Sequence, residues 1–282
     1  MIGLTSLALL ASVFLGVSDF LGGAISRKVK LVSVLFLSQV VATLAVLPRL
    51  FIESPFENAG PALFWGSVGG VATAIAVSSL FKALAIGTMG VVAPITSLGV
   101  IVPAVVGIIG GDEFTVLLAA GLLVAVVGTV LASGPEVKRG PAQHGGAKPI
   151  VLAIVAALGF GFANLSVALG SAHNVTTTLL SNSVVVLALY AAAAIALKTV
   201  PKAGGRYLVG VVAIGLLGFS ANLCFAIASQ YGALTVVAVL ASLYPAVTVL
   251  LGWRILGERL QPIQIAGVLC VFVGIATVAA TA

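Results

Sequence analysis

One carboxylate lies deep inside an apolar stretch of the sequence. Asp19 is the only acid within residues 3–26, a run dominated by small and aliphatic side chains. A carboxylate in such surroundings requires an opposite charge, water or a proton. Lys82, near the end of another apolar stretch, is the cation that we expect at a similar depth. We therefore predict either an ion pair between these two side chains or a site where Asp19 takes up a proton.

Uncharged polar residues also interrupt the apolar stretches. Asn164, Asn182 and Asn222 each stand among apolar residues, where an amide either binds a polar ligand or bridges two helices. Tyr244, next to Pro245 in the middle of a further stretch, is the aromatic residue that we expect to face a cavity. Together these residues predict a polar pocket that several helices line.

Three prolines lie inside apolar stretches, namely Pro94, Pro103 and Pro245. An interior proline removes one helical hydrogen bond and clashes with the preceding turn, so the helix bends and a carbonyl is freed. Ser97 and Ser242 lie close to these bends. Such a carbonyl can bind a ligand and the bend can act as a hinge. The alternative is that the prolines only shape packing and each serine bonds a carbonyl of its own helix.

Several kinds of chemistry are excluded because their motifs are missing. HExxH, GxSxG and GxxxxGK[ST] are absent, and the two histidines, His144 and His173, lie outside the apolar stretches. We therefore expect no enzyme, no metal site, no cofactor and no ATP-driven pump. The formal net charge of +6 comes from basic residues scattered singly or in small groups, so we expect no nucleic-acid partner.

Composition predicts the elements that position these residues. The chain is 61% hydrophobic and 7% charged, with a mean hydropathy of +1.30. A lipid-facing exterior can be built from this composition and a water-facing one cannot. Long unbroken apolar runs favour helices over barrel strands, which alternate polar and apolar residues. The sequence predicts an all-α membrane protein with ten transmembrane helices, at 3–26, 31–51, 62–86, 89–110, 114–133, 149–171, 175–197, 206–230, 232–254 and 261–281.

Basic residues lie on one side of this ten-helix arrangement. Twelve of the 13 Lys and Arg residues fall in or beside alternate connections, and only Arg49 is opposite. The positive-inside rule places those connections in the cytoplasm and both termini outside the cell (inner) membrane. Asp19 and Lys82 would then form a cytoplasmic gate. The alternative is that Lys82 extends to the lipid headgroups and Asp19 faces interfacial water.

The sequence repeats itself at an offset of 145 residues. Between residues 83–98 and 228–243, seven of sixteen positions are identical. Gly16 matches Gly161 in the same register, whereas Asp19 corresponds to Asn164. The repeat therefore predicts a duplicated unit in which the acid occurs only once.

The repeat divides the chain into two units of five helices. We predict a first repeat at 1–133, a cytoplasmic linker at 134–148 that is rich in Gly, Pro and charge, and a second repeat at 149–282. An odd number of helices per unit inverts the second unit in the membrane. Inverted repeats are typical of secondary transporters, with the substrate site near the midplane between the units.

The second unit resembles the EamA-like branch of the drug/metabolite transporter superfamily. The resemblance rests on the stretch AIASQYGALTVVAVLASLYPAVTVLLGWRILGERLQPIQIAGVLCVFVGI (226–275), with its glycine turn at Gly232, its proline, its Gly-Glu-Arg-Leu turn and its glycine-spaced last helix. Residues 81–114, FKALAIGTMGVVAPITSLGVIVPAVVGIIGGDEF, resemble the first repeat of that family more loosely. There the turn reads Gly-Asp-Glu-Phe, and two prolines stand where one is usual.

This resemblance implies a transporter fold and a class of substrate. We expect a secondary-active exporter of small metabolites, amino acids or drugs that works by alternating access, with protons as a candidate coupling ion. The alternatives are a carrier that flips a lipid-linked headgroup, or an importer of the same superfamily. The expected partners are a small-molecule substrate and the lipid bilayer, and the chain is expected to be a monomer or a homodimer.

Overall fold

The architecture is a bundle of α-helices. The computed structural model describes residues 2–52, 59–87, 89–110, 115–132, 147–257 and 261–279, and all regular structure within these ranges is helical. The helices are α1 (Ile2–Ser26), α2 (Leu31–Val46), α3 (Ala59–Ile86), α4 (Met89–Ser97), α5 (Ile101–Ile109), α6 (Val116–Ala132), α7 (Ala147–Ser171), α8 (Val175–Ala196), α9 (Gly205–Tyr231), α10 (Leu234–Ala241), α11 (Tyr244–Leu256) and α12 (Pro262–Ala279). Two 3-10 segments, Leu47–Phe51 and Leu98–Val100, extend α2 and join α4 to α5.

The predicted all-α membrane class is confirmed by these helices. Seven segments of the described chain are long and apolar enough to cross a membrane. The predicted helices 89–110, 114–133 and 261–281 correspond to the shorter elements α4–α5, α6 and α12, so the count of ten stays a prediction. The predicted linker 134–148 lies outside the described residues, apart from the two residues that begin α7.

Local sequence signals explain several helix ends. Pro61, Pro149 and Pro262 lie in the first turns of α3, α7 and α12, where the missing N–H has no helical partner in any case. Asn174 caps α8, because its side-chain oxygen accepts a 2.8 Å hydrogen bond from a backbone N–H of the first turn. Gly257 ends α11 with a φ of 69°, a left-handed conformation that glycine adopts without strain.

The predicted helices 89–110 and 232–254, in which the sequence predicted bends at prolines, are each divided into two shorter helices. Residues 234–256 form two helices, and Pro245 is the second residue of α11, directly after the break. Between Pro94 and Pro103 the chain narrows to the 3-10 segment Leu98–Val100. Since proline has no N–H, the carbonyls four residues before Pro103 and Pro245 do not receive the usual helical bond.

Helices pack in pairs that have counterparts in the other half of the chain. Under the 145-residue offset, α1 corresponds to α7, α2 to α8, α3 to α9, α4–α5 to α10–α11, and α6 to α12. The packing of α1 against α9 has its counterpart in α7 against α3, and that of α3 against α8 in α9 against α2. The pairs α2–α8 and α6–α12 are their own counterparts. The pattern of packing is thus unchanged when the two halves exchange roles.

Two glycines mark equivalent helix crossings. A Cβ at Gly16 would lie 2.6 Å from the carbonyl oxygen of Tyr244, and a Cβ at Gly161 would lie 2.6 Å from that of Gly99. Tyr244 and Gly99 are themselves 145 residues apart, as are the neighbouring side chains, Val247 and Val102. In both places only a glycine allows the helix to approach the partner backbone this closely.

The glycines of the last helix of each half are buried in the bundle. Gly121 and Gly128 of α6, and Gly267 and Gly274 of α12, are all buried, and α6 packs against α12. Small residues let two helices approach closely in a membrane. The glycines of both helices are therefore compatible with close helix packing in this part of the molecule.

Candidate functional site

The largest polar cavity that we describe lies in the middle of the bundle. Its volume is about 100 Å³, and six helices line it: α1, α2, α3, α7, α8 and α9. Its polar lining residues are Ser18, Asp19, Ser38, Gln39, Thr73, Asn164, Asn182, Ser183, Tyr190 and Asn222. Most of these residues lie well inside their helices, as expected for a site near the midplane.

The cavity walls repeat between the two halves of the chain. Six pairs of lining residues are separated by 145 positions: Leu15 and Phe160, Ser18 and Ala163, Asp19 and Asn164, Ser38 and Ser183, Thr73 and Gly218, and Val77 and Asn222. Equivalent positions of the two halves therefore face one shared space. Most pairs differ in residue type, so the cavity is symmetric in backbone but not in chemistry.

A smaller cavity adjoins the first. Its volume is about 30 Å³, and it shares the lining residues Leu15, Phe160, Asn164 and Asn222 with the larger cavity. Ser97, Ser242 and Tyr244 line it, together with residues of α1, α9 and α10. Four predicted site residues therefore line the larger cavity (Asp19, Asn164, Asn182 and Asn222), and the three just named line the smaller one.

Asp19 is buried without an opposite charge. Its side chain is 2% exposed, and Oδ2 has no hydrogen-bond partner in the described part of the chain. The predicted ion pair with Lys82 is absent, because Lys82 is exposed. Phe81 lines the cavity instead. Consecutive residues of a helix point about 100° apart, so Lys82 faces away from the cavity that its neighbour lines.

The amides of the larger cavity divide into two kinds. Asn182 donates from Nδ2 to Thr73 Oγ1 at 3.4 Å, so it bridges α8 and α3. Gln39 donates from Nε2 to the carbonyl of Ser183 at 3.2 Å and bridges α2 and α8. Asn164 and Asn222 make no hydrogen bond to the described residues. These two amides are therefore available to a polar ligand, and both contact the two cavities.

The smaller cavity contains a hydrogen bond between the two interrupted segments. The hydroxyl of Tyr244 at the start of α11 donates to Thr96 Oγ1 of α4 at 2.8 Å. The Thr96 hydroxyl in turn donates to the carbonyl of Ala93 at 2.7 Å. Ser242 donates to a carbonyl of its own helix, that of Val239, at 2.7 Å. This bond is of the type expected under the alternative interpretation, in which the serine bonds a carbonyl of its own helix.

Two of the three predicted prolines do not line either cavity. Pro103 and Pro245 are buried and are not among the lining residues, and the side chain of Pro94 is not described. Pro103 and Pro245 can affect the site through the backbone hydrogen bonds that they remove. Gly99 and Ala241 line the smaller cavity and lie four residues before Pro103 and Pro245. Because proline has no N–H, their carbonyl groups do not receive the usual helical hydrogen bond.

Sequence reasoning did not select several lining residues. Ser18, Ser38, Thr73, Ser183 and Tyr190 belong to no local motif that sets them apart. The aromatic residues Phe81, Phe160 and Phe219 line the larger cavity and were also not selected. The offset of 145 is a signal for two of these residues, because it links Ser38 to Ser183 as it links Asp19 to Asn164.

Comparison with known proteins gives one family and one fold. The sequence profile of the EamA-like transporter family matches residues 147–280. A solved crystal structure is similar to this chain with a TM-score of 0.70 and 17% sequence identity, and the match covers 99% of this chain and 96% of the other. At that identity the likeness concerns the fold alone. No curated protein sequence matches the chain.

Proposed function

Because residues 147–280 match the profile of the EamA-like transporter family, we propose that the chain is a secondary-active transporter that exports small molecules by alternating access. The seven long apolar segments of the described chain are those of a multi-pass membrane protein. In this proposal an ion gradient supplies the energy, the direction is export, and the mechanism is alternating access. Small metabolites, amino acids and drugs are the substrate classes that it includes.

The observation that carries the proposal is the pairing of cavity walls across the 145-residue offset. A cavity lined by equivalent positions of two halves lies on the axis that relates them. If the halves are inverted repeats, exchanging their conformations opens the same cavity first to one side of the membrane and then to the other. The exchange of helix partners described above supports this arrangement.

We propose that the repeats are residues 1–133 and 149–282, joined by a cytoplasmic linker at 134–148, with both termini outside the cell (inner) membrane. Contacts between helix ends agree with this topology. Arg27 donates to the carbonyl of Leu84 at the end of α3, and both residues are assigned to the cytoplasmic side. Arg49 donates to Thr176 at the start of α8, and both are assigned to the outside.

The coupling ion in this proposal is a proton that Asp19 takes up. A buried carboxylate without a partner is much more stable when neutral, because hydrocarbon does not solvate the charge. The solute and the proton would then use the same cavity on opposite halves of the cycle.

A carrier of lipid-linked headgroups is the less favoured alternative. Such a headgroup carries phosphate, which is held by Lys, Arg or helix N-termini. Neither of the two cavities described has a lysine or arginine among its lining residues, and the larger one has a carboxylate. The charge of the site therefore favours a substrate without a phosphate group.

Alternating access predicts that one cavity position reacts from both sides of the membrane. In a variant with Cys224 and Cys270 replaced by alanine, we expect Asn222→Cys to be modified by a membrane-impermeant maleimide in right-side-out and in inverted vesicles. Leu216→Cys on the same helix is the control. Leu216 is 47% exposed on the outside of the bundle, so lipid should protect it from both sides. Reaction of Asn222→Cys from one side alone, or from neither, would reject the mechanism.

A further inference from the structure

The larger cavity contains an ionisable carboxylate with no cationic side chain among its described lining residues. Asp19 Oδ2 is buried and has no hydrogen-bond partner among the described residues. No lysine, arginine or histidine is among the residues that line the cavity. Lys82, the cation that the sequence led us to expect at a similar depth, is exposed. The carboxylate of Asp19 must therefore be solvated by water, neutralised by a proton or paired with a cationic ligand.

We propose that the substrate is a compact organic cation whose ammonium group binds at Asp19. The inference rests on the proposed transport function and names its substrate class. A carboxylate in a low-dielectric cavity attracts a cation, repels an anion and gains little from a neutral solute. Among bound solutes, a cation is therefore the charge type that offsets the energetic cost of burying an ionised Asp19.

The walls around Asp19 suit the apolar body of such a cation. Phe81, Phe160 and Phe219 line the same cavity, and the faces of aromatic rings attract ammonium groups. The amides of Asn164 and Asn222 are the polar groups left for a hydroxyl or carbonyl on the far end of the solute. The cavity volume of about 100 Å³ restricts the ligand to a small molecule.

The charge requirement is tested with two molecules of the same shape. Choline and 3,3-dimethylbutan-1-ol differ only in a quaternary nitrogen replaced by carbon. Full-length protein purified in detergent is titrated with each compound, and with tetramethylammonium and ethylammonium, by calorimetry and by thermal unfolding. We expect at least one of the three cations to bind the wild type and raise its unfolding temperature, and the neutral alcohol to do neither.

Asp19→Asn is the decisive variant because it removes the charge and keeps the shape. We expect cation affinity to fall by at least about 30-fold, since one partner of a buried charge pair is lost. The variant should unfold at the same temperature as the wild type or a higher one, because an uncompensated carboxylate is gone. Lys82→Gln is the matched control, because it changes an exposed charge next to the cavity-lining residue Phe81, and it should bind the cation like the wild type.

Two sets of outcomes separate this inference from the proposed function. Binding of none of the three cations, equal binding of choline and its neutral analogue, or undiminished cation binding by Asp19→Asn would overturn the cation site. These results are obtained without transport. Cation binding at Asp19 combined with labelling of Asn222→Cys from one side only would retain the site and reject alternating access.

Discussion

Gly161→Ala is expected to lower the stability of the folded protein by about 1–3 kcal/mol, the usual range for overpacking a tight contact. The new Cβ would lie 2.6 Å from the carbonyl oxygen of Gly99. This oxygen belongs to the backbone of the 3-10 segment that joins α4 to α5, so it cannot move aside as a flexible side chain can. Gly16→Ala should have a similar effect, because it meets the carbonyl oxygen of Tyr244 at the same distance.

Gly205→Ala is the control for both glycine substitutions. Gly205 is the first residue of α9, and a Cβ there would meet no atom within 4 Å. Thermal unfolding in one detergent should leave this variant unchanged or slightly stabilised, since alanine favours helix more than glycine does. If Gly161→Ala unfolded at the same temperature as Gly205→Ala, the close crossing of α7 with the 3-10 segment would be wrong.

Tyr244→Phe is expected to weaken the contact between α4 and α11 by about 1 kcal/mol, the typical net value of one buried hydrogen bond. The lost bond is the one that Tyr244 donates to Thr96 Oγ1 at 2.8 Å. Both helices belong to interrupted segments, so loosening their contact should change the balance between conformations of the cavity. About 1 kcal/mol corresponds to a roughly fivefold change in that balance.

The effect of Tyr244→Phe is measured by the labelling rate of Asn222→Cys from each side. We expect one rate to rise and the other to fall. A double-mutant cycle with Thr96→Val isolates the pair, because it subtracts the bond from Thr96 to the carbonyl of Ala93. Equal changes of both rates, or a coupling energy near zero, would show that this hydrogen bond does not hold one conformation.

Much of the fold was predictable because membrane helices have a clear sequence signal, a long apolar run. Apolar runs with Pro, Gly and charged residues between them set the helix ends to within a few residues. The break before Pro245 also followed from one residue, since a proline inside a helix leaves few other possibilities. The separate status of α4 and α5 was harder to foresee, because a 3-10 segment still allows a nearly continuous helix.

The candidate site was predictable at residues whose chemistry is unusual in an apolar helix. Asp19, Asn164, Asn182 and Asn222 were selected on that ground, and all four line the larger cavity. The pairing of Asp19 with Lys82 failed because depth along a helix says nothing of the face on which a residue lies. Face is set by packing, and a step of one residue moves a side chain from the cavity to the exterior.

Two differences between the halves have clear consequences for the chemistry of the cavities. Where the first half has Asp19, the second has Asn164, and where the first has Gly99, the second has Tyr244. The first change confines the charge to one half. The second supplies the phenol that bonds Thr96. The two halves of the chain therefore correspond in helix packing and differ in the chemistry of the cavity lining.

The inversion of the two halves is tested most directly by the sides on which α1 and α7 begin. Ile2 and Ala147 are the first residues of these helices and are 145 positions apart. Single cysteines at the two positions, in the variant without Cys224 and Cys270, are treated with a membrane-impermeant maleimide on intact cells and on inverted vesicles. The inverted arrangement predicts that position 2 reacts only from outside and position 147 only from the cytoplasm. Reaction of both positions from the same side would contradict it, and the shared cavity would then need another explanation.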